Sequence, residues 1–263
     1  MHNIIDTTIL IPVHKYNNSI KEYLNLALES VKKQRVKPKE VKVIEPKSIS
    51  NDIKKDHSVD IIINTNETDF CTQINFGVNN IDTEYFTILE FDDILTSNSL
   101  FSLKNYINTD KYKNIDGILS IVTIKKDDKE VMLVNESPWA SGFTDKLGFL
   151  DIKTCKENDT FIISGGTFKT ESFKEVGGLK KDIKLSFSRE FFLRMLYFNK
   201  LIGVVPKITT VHLIGREDSL FENYKSEGIT REEITHYNNI VVNGEYKNKI
   251  SKVKKYTPLK KEK

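Results

Sequence analysis

The 263-residue chain carries 40 lysine and arginine residues against 37 acidic ones, and 38% of its residues are hydrophobic. This composition excludes a fibrous, low-complexity or wholly disordered chain, and the length suits one large domain with or without an appendage. No apolar run approaches the roughly 20 residues that cross a bilayer, and the N-terminal segment lacks the features of a signal peptide. We therefore expect a soluble, cytoplasmic protein.

The cysteines and the C-terminal charge bear on compartment and partners. Cys71 and Cys155 form neither a disulfide framework nor a metal-ligand spacing, so we expect two reduced and mostly buried thiols. Residues 245–263 hold eight lysines against two glutamates. We predict a solvated tail there; the functional alternative is a peripheral contact with an anionic membrane surface, nucleic acid or acidic glycan.

The first 95 residues alternate between strand and helix patterns. In chain order we predict a strand at 7–13, a helix, strands at 41–45 and 59–64, a helix between 68 and 80, and a strand at 85–90. Ser19 and Glu22 form a capping box that would begin the first helix. Apolar strands separated by helices are typical of an α/β doubly wound, mostly parallel sheet, whose ligands bind at the carboxyl ends of the strands.

Beyond residue 95 the pattern is less regular. We predict strands at 116–124 and 131–134, a loop at 136–148, a glycine-interrupted strand at 161–168, a short helix ending on the glycines at 177–178, a helix at 188–200 and late strands within 201–213. Trp139, in the loop at 136–148, has two interpretations: it stacks on a sugar face, or it packs in the core or a lid.

Three acids, Glu90, Asp92 and Asp93, stand together where the strand at 85–90 ends. Carboxylates so close together repel one another unless a positive group neutralises them. One interpretation makes Asp92 or Asp93 the N-cap of the next helix. The alternative is a divalent cation bound by hard oxygen ligands, because the E-x-D spacing places two carboxylates on the same side of an extended segment.

Three motifs resemble the signatures of nucleotide-sugar glycosyltransferases of the GT-A fold, in the family-2-like group that includes bacterial polysaccharide and chondroitin-type transferases. They are TILIPVHKYNNSIKEYLNLALESVKKQ, INFGVNNIDTEYFTILEFDDIL and ISGGTFKTESFKEVGGL, which stand in the family's order. The resemblance implies a GT-A domain at 1–215, with a nucleotide-sugar half at about 1–95 and an acceptor half at about 96–215. A C-terminal extension would follow at 216–263.

The resemblance also implies residues that contact the donor nucleotide. Pro12, Val13 and His14, after the first strand, would line the base pocket. Glu45 stands where the family has an aspartate that touches the base. Asn75 matches the asparagine of the family's RN-x-G motif, whose arginine this chain lacks.

Residues 90–93 match the family's D-x-D-D motif, with Glu90 in place of the first aspartate. The resemblance implies Mn²⁺ or Mg²⁺ bound by Asp92 and Glu90. His212, just after a late strand, would be a further metal ligand or else a structural histidine. Asp93 is left with two alternatives, a catalytic carboxylate or the cap of the next helix.

The acceptor side departs from the family at the catalytic base. An ungapped match places Ser188 where inverting relatives have the aspartate that deprotonates the acceptor hydroxyl. Glu190 is either a shifted base or one half of an ion pair with Arg194 on a solvated helix face, worth about 0.3–0.5 kcal/mol. A retaining mechanism, which needs no carboxylate there, is the alternative. Arg216 would meet the donor diphosphate or pair with neighbouring acids at the surface.

We therefore expect a metal-dependent glycosyltransferase. It would move a hexosyl or N-acetylhexosaminyl group from a nucleoside diphosphate sugar, most often a UDP sugar in this family, to a hydroxyl of a glycan, lipid, protein or modified nucleic acid. Two alternatives are a nucleotidyltransferase of similar fold and a catalytically degenerate nucleotide-sugar-binding module. The HKYNNS loop lacks the glycines that would cradle a triphosphate, which disfavours the nucleotidyltransferase.

Overall fold

The backbone alternates between strands and helices over most of its length in the computed structural model, which describes residues 4–64, 66–157, 161–216, 219–228 and 233. The strands are β1 (Ile4–Pro12), β2 (Lys37–Pro46), β3 (Asp60–Asn64), β4 (Tyr85–Ile88), β5 (Ile94–Leu95), β6 (Gly117–Lys126), β7 (Lys129–Val134), β8 (Thr167–Lys169) and β9 (Ile202–Leu213). The α-helices are α1 (Asn18–Lys32), α2 (Ser50–Asp56), α3 (Phe70–Asn79), α4 (Ser99–Ile107), α5 (Ile152–Glu157), α6 (Thr170–Glu175), α7 (Phe187–Tyr197) and α8 (Leu220–Ser226).

The strands form one sheet in the order β3-β2-β1-β4-β8-β6-β9-β5, and β7 pairs with β6. Strands β3, β2, β1 and β4 are mutually parallel, β8 runs antiparallel between β4 and β6, and β9 is parallel to β6. Strands β1, β4 and β9 therefore point the same way and end at one edge of the sheet. The predicted α/β doubly wound, mostly parallel sheet of the GT-A type is confirmed.

Both faces of the sheet are covered, which explains why the parallel strands read as nearly continuous apolar runs. Along β1, Leu10 belongs to one hydrophobic cluster, whereas its neighbours Ile9 and Ile11 belong to another. Successive strand side chains point to opposite faces, so a strand between two helix layers must be apolar at every position. Gly77 lets α3 approach the sheet closely, because a Cβ there would lie 2.4 Å from the Ile44 side chain.

The first helix begins two residues earlier than its sequence pattern predicts. Asn17, in an extended conformation, is the N-cap of α1, and its side chain accepts a hydrogen bond of 2.9 Å from the Ile20 amide. Ser19 therefore lies inside the first turn, and the prediction of a Ser19–Glu22 capping box is wrong. Asparagine is as strong an N-cap as serine, so the earlier of two competent residues takes the role.

Two other local predictions are wrong. Helix α2 lies between β2 and β3, where no helix was expected. The strand predicted at 161–168 is shortened to β8, because Gly165 has a φ of +77° and its amide donates to the Ile88 carbonyl at 2.7 Å. That left-handed conformation turns the chain before β8 can begin.

The helix-cap interpretation of Asp92 and Asp93 is wrong. Strand β5 separates both acids from α4, whose N-cap position is Asn98. The acids instead lie in a tight turn, in which the Asp93 amide donates to the Glu90 carbonyl at 3.0 Å. This turn reverses the chain between β4 and β5.

The remaining expectations concern the cysteines, Trp139, membrane-spanning helices and the lysine-rich segment. Cys71 and Cys155 are both free and buried. Trp139 donates from Nε1 to the Val204 carbonyl at 2.9 Å and packs against the core. None of the helices in the described ranges has the length and apolarity needed to cross a bilayer. The lysine-rich segment at 245–263 lies outside the described residues.

Candidate active site

The pairing of β5 with β9 brings the acids and a histidine together. In this antiparallel pair Ile94 lies opposite Val211, so the residues next to them, Asp93 and His212, meet at the carboxyl edge of the sheet. His212 Nδ1 lies 2.9 Å from Asp93 Oδ1 and 3.0 Å from Oδ2, and the Leu213 amide donates to Oδ1 at 3.3 Å. Asp93 is completely buried. The ring of His212 is therefore fixed by a carboxylate that has no access to solvent.

Glu90 completes a cluster that we call the acid–histidine triad: Glu90, Asp93 and His212. One ligand atom from each of the three residues lies within 4.8 Å of the other two. The Glu90 amide donates to Ser164 Oγ at 3.1 Å, which holds the turn after β4. Carboxylate oxygens and an imidazole nitrogen suit Mn²⁺, and the carboxylates also suit Mg²⁺. The donor set therefore fits a divalent cation.

Burial and the charges within the triad shift the pKa values of two of its members. Burial and the nearby Asp93 charge raise the pKa of Glu90 to about 8. Burial by itself lowers the pKa of His212, but the charge of Asp93 and its hydrogen bond outweigh burial and raise that pKa to about 10. Shifts of this size are typical of groups in a functional site.

Asp92 points to a different partner. Its Oδ2 forms an ion pair with Nη2 of Arg216, and both side chains are largely buried. Burial and Asp93 raise the pKa of Asp92 to about 6, while Arg216 opposes this shift. The guanidinium carbon of Arg216 lies 5.0 Å from the ring centre of Phe91 and 5.1 Å from that of Tyr23. Asp92 is thus not one of the three residues whose ligand atoms converge, and its predicted role as metal ligand stays a prediction.

A pocket of about 120 Å³ opens beside these side chains. It is lined by the ends of β1 and β4, the start of α3, the segment after β9 and helix α8. Among the predicted site residues, those that line it are Pro12, His14, Glu90, Asp92, His212 and Arg216. The structure therefore gathers most of the predicted donor and metal residues around one cavity.

Three of the predicted nucleotide contacts do not line this pocket. Val13 is buried, and its carbonyl accepts from Gln73 Nε2 at 2.9 Å. Asn75 forms a reciprocal pair with the Leu179 backbone, donating to its carbonyl at 2.7 Å and accepting from its amide at 2.8 Å. Asn75 thereby ties α3 to the turn after α6.

Glu45 is the third such residue, and it lies at the end of β2. It is fully buried, and among the described residues neither carboxylate oxygen has a well-aligned hydrogen-bond partner, although the Ser50 hydroxyl opposes the pKa shift that burial causes. Burial raises the pKa of Glu45. A buried carboxylate with so little hydrogen bonding is costly, so we expect Glu45 to lower the stability of the fold at neutral pH.

Glu190 lies away from the pocket, on α7. Its carboxylate accepts two hydrogen bonds from Arg194, Nε to Oε1 at 2.9 Å and Nη2 to Oε2 at 2.8 Å, and Lys180 Nζ lies 2.9 Å from Oε1. Arg194 also donates to the carbonyls of Val176 and Gly178. The expected ion pair is present, but the expectation of a solvated helix face is wrong because Glu190 is only 1% exposed. The predicted role of Glu190 as base stays a prediction.

The sequence analysis missed Gln73 and helix α8, which shape the pocket. Gln73 lines it and fixes the end of β1 through Val13. Phe221, on α8, also lines it, stacks on Phe187 and meets Phe70 edge to face. The spacing Ser-x-x-Glu at 219–222 is a capping-box signal that identifies α8, and the Ser219 side chain does accept from the Glu222 amide at 3.4 Å.

Comparison with solved structures places the fold among glycosyltransferases. TarS 1–349 of S. aureus in complex with UDP-GlcNAc aligns with a TM-score of 0.60 and 14% identity, over 83% of this chain and 61% of that one. The mannosyltransferase PcManGT from Pyrobaculum calidifontis in complex with GDP-Man and Mn²⁺ aligns with a TM-score of 0.58 and 12% identity, over 83% of this chain and 59% of that one. The chain thus spans about three fifths of the length of these structures. No curated protein gave a significant match.

Residues 8–177 match the family model described as Glycosyl transferase family 2. The matched segment contains the second half of β1, the acids after β4 and helix α6, which belong to the three sequence motifs. It also covers well over half of the chain. The chain therefore belongs to glycosyl transferase family 2.

Proposed function

We propose that the chain is a glycosyltransferase that moves a sugar from a nucleoside diphosphate sugar to an acceptor hydroxyl, with a divalent cation bound at the acid–histidine triad. The observation that carries the proposal is the convergence of Glu90, Asp93 and His212 beside the pocket at the carboxyl edge of the sheet. Family membership supports the class of reaction. The complexes of structurally similar proteins with UDP-GlcNAc and with GDP-Man and Mn²⁺ support this class of donor and cofactor.

The position of each residue in the site suggests its role in binding the donor and the cation. Pro12 and His14, at the end of β1, would contact the nucleotide. The contact of Glu45 with the base stays a prediction, since its carboxylate is buried and does not line the pocket. His212 holds the Asp93 carboxylate in one orientation through Nδ1. A cation bound there would stabilise the negative charge that develops on the departing diphosphate.

The proposal extends in general terms to the donor nucleotide, the acceptor and the cellular location. UDP is the first nucleotide to test, and acceptors on glycans, lipids, proteins and modified nucleic acids suit the reaction equally. Two free, buried cysteines are in keeping with a cytoplasmic protein. The peripheral contact of residues 245–263 with an anionic surface stays a prediction.

A second candidate, a nucleotide-sugar-binding module without turnover, is favoured by one observation. Ser188 stands at the expected base position and its hydroxyl lies 3.3 Å from the Phe161 carbonyl, while Glu190 is held by Arg194. Neither side chain is presented to the pocket. Measurement of turnover separates this candidate from the first.

Calorimetric titration of UDP and GDP with and without Mn²⁺ tests the proposal. We expect one of the two nucleotides to bind more tightly with Mn²⁺, and Asp93→Asn to abolish that gain. Asp110→Asn, at an exposed acid remote from the pocket, is the matched control and should bind as the wild type does. A Mn²⁺-dependent affinity that survives in Asp93→Asn would refute the triad as the cation site.

A further inference from the structure

Glu233 is a buried acid in the segment at 216–263, for which the resemblance implies an extension outside the GT-A domain. Its side chain packs against the acceptor half, and the residue is only 8% exposed. Building on the proposed function, we propose that Glu233 is a positioning residue, whose carboxylate fixes the start of α7 and the loop before it, and through them the walls of the nucleotide pocket. Glu233 does not itself line the pocket.

The carboxylate of Glu233 is held by three consecutive backbone amides. The amides of Leu185 and Ser186 donate to Oε2 at 2.8 and 2.7 Å, and the Lys184 amide donates to Oε1. Hydrogen bonds to an ionised carboxylate are about twice as strong as those between neutral groups. Three such bonds in a buried place fix both the carboxylate and the loop at 184–186.

Helix α7 has no cap from its own N-cap residue. Ser186 occupies the N-cap position, but its side chain makes no capping hydrogen bond. The first amides of a helix carry partial positive charge, so a carboxylate close to them is stabilising. Glu233, which lies 47 positions further along the chain than Ser186, supplies the negative charge that an aspartate at the N-cap would otherwise supply.

The loop that Glu233 binds also contacts two elements that line the pocket. The side chain of Lys184 pairs with Asp69, the N-cap of α3, which accepts from the Thr72 amide at 2.9 Å. The ammonium of Lys184 also lies 6.0 Å from the ring centre of Tyr224, on α8. The start of α3 and one side of α8 both line the pocket. A shift of this loop would therefore move two walls of the pocket.

Three aromatic rings join the same elements. Phe187, the first residue of α7, has its ring centre 4.9 Å from that of Phe70 on α3 and 5.9 Å from that of Phe221 on α8. Phe70 and Phe221 both line the pocket. The first turn of α7, which also carries Ser188 at the expected base position, thus determines where these two rings lie. Glu233 fixes that turn.

The expected effect of losing the carboxylate follows from population arithmetic. Glutamine at position 233 keeps the shape of the side chain, but it removes the charge and leaves one acceptor oxygen for three amides. The loop and the first turn of α7 can then adopt other arrangements. Ligand affinity falls in proportion to the fraction of molecules whose pocket is competent to bind.

Hydrogen exchange of the chain without ligand tests the contact itself. In Glu233→Gln and Glu233→Ala we expect the amides of residues 184–186 to exchange at least about tenfold faster than in the wild type, because local opening becomes easier. Exchange of these amides at the wild-type rate would mean that the carboxylate does not hold the loop. That result would overturn the proposal.

Calorimetric titration of UDP and GDP with Mn²⁺, at a temperature at which every variant is folded, tests the positioning role. We expect Glu233→Gln to weaken whichever nucleotide binds by about threefold to tenfold, as for a competent fraction of about 0.1–0.3, and Glu233→Ala to weaken it more. Gln34→Leu is the stability control, since Gln34 is buried, accepts from the Leu100 amide at 3.0 Å and does not line the pocket. It should lower the Tm and leave nucleotide affinity unchanged.

The two proposals fail in different ways. A Glu233→Gln protein that behaves like Gln34→Leu, with a lower Tm and the nucleotide affinity of the wild type, makes Glu233 a purely structural residue. It overturns this inference and leaves the glycosyltransferase proposal standing. A wild-type chain that binds neither UDP nor GDP, with or without Mn²⁺, overturns the proposed function and with it the role of Glu233 in nucleotide binding, even where the exchange of residues 184–186 responds to Glu233→Gln.

Discussion

Replacing Arg194 with methionine tests whether Glu190 is a structural residue. The change leaves the Glu190 carboxylate, which is 1% exposed, without its bidentate partner, and it frees the carbonyls of Val176 and Gly178. Removing one member of a buried ion pair costs about 3–5 kcal/mol. For a domain of this size each kcal/mol lowers the Tm by about 2–4 °C, so we expect a fall of about 6–20 °C.

Glu190→Gln is the more discriminating variant, because glutamine keeps the shape and loses the charge. It still accepts from Arg194 at one oxygen but leaves a buried guanidinium without its counter-charge, at a cost of about 1–3 kcal/mol. The double variant Glu190→Leu with Arg194→Met should recover much of the Tm, since well-packed apolar residues often replace a buried pair without loss. Glu29→Gln, in an exposed pair with Lys32, is the control and should leave the Tm unchanged.

Differential scanning calorimetry gives the Tm values, and release of nucleoside diphosphate from donor sugars below the lowest Tm gives activity. The structure predicts that Glu190→Gln lowers the Tm and retains turnover in proportion to the folded fraction. A Glu190→Gln protein with the Tm of the wild type and no turnover would refute the reasoning. It would identify Glu190 as the catalytic base despite its burial.

Two further predictions concern stability. Burial raises the folded-state pKa of Glu45 above its unfolded value of 4.5. The contribution of Glu45 to the free energy of unfolding is therefore favourable below pH 4.5 and is lost as pH rises through the raised pKa. Glu45→Gln should therefore have a higher Tm than the wild type at neutral pH, with a gap that closes on acidification, and weaker nucleotide binding; an equal gap at all pH values would contradict this. Gly178→Ala should lower the Tm by at least about 2 °C in calorimetry, since φ is +68° and the new Cβ would lie 2.4 Å from Asn75 Oδ1. An unchanged Tm would mean that the turn after α6 adjusts freely.

Except for α2, the half of the fold up to β4 could be predicted from sequence because its signals are local. β1 to β4 are apolar runs between polar segments, and α1 carries one apolar stripe that includes Leu24 and Val31. What the sequence could not decide was which of several competent residues takes a local role. Asn17 and Ser19 are both good caps, and only the path of the chain leaving β1 selects Asn17.

The candidate site was predicted in its parts but not in its assembly. Glu90, Asp92, Asp93 and His212 were all singled out, yet 119 positions separate Asp93 from His212, and their contact depends on the register of β5 against β9. No periodicity in the sequence encodes that register. Tyr23 illustrates the same limit, since its place beside Arg216 depends on how α1 packs against the turn after β4.

The burial of Glu190 shows why exposure is harder to predict than helix position. An i,i+4 pair of glutamate and arginine is typical of a solvated face, and the sequence was interpreted in that way. In the structure the turn after α6, with Gly177 and Gly178 in left-handed conformations, folds over Arg194 and covers the pair. Burial here is a property of two segments in contact, not of either alone.

Release of nucleoside diphosphate from a panel of donor sugars, in Mn²⁺ and in EDTA, tests the central claim most directly. The panel should include UDP-GlcNAc and GDP-Man, and many transferases cleave their donor slowly without acceptor. We predict Mn²⁺-dependent release from at least one donor in the wild type and in Asp110→Asn, and none in Asp93→Asn. Binding of a donor sugar without release from any donor or with any acceptor would contradict the account and identify the chain as a nucleotide-sugar-binding module.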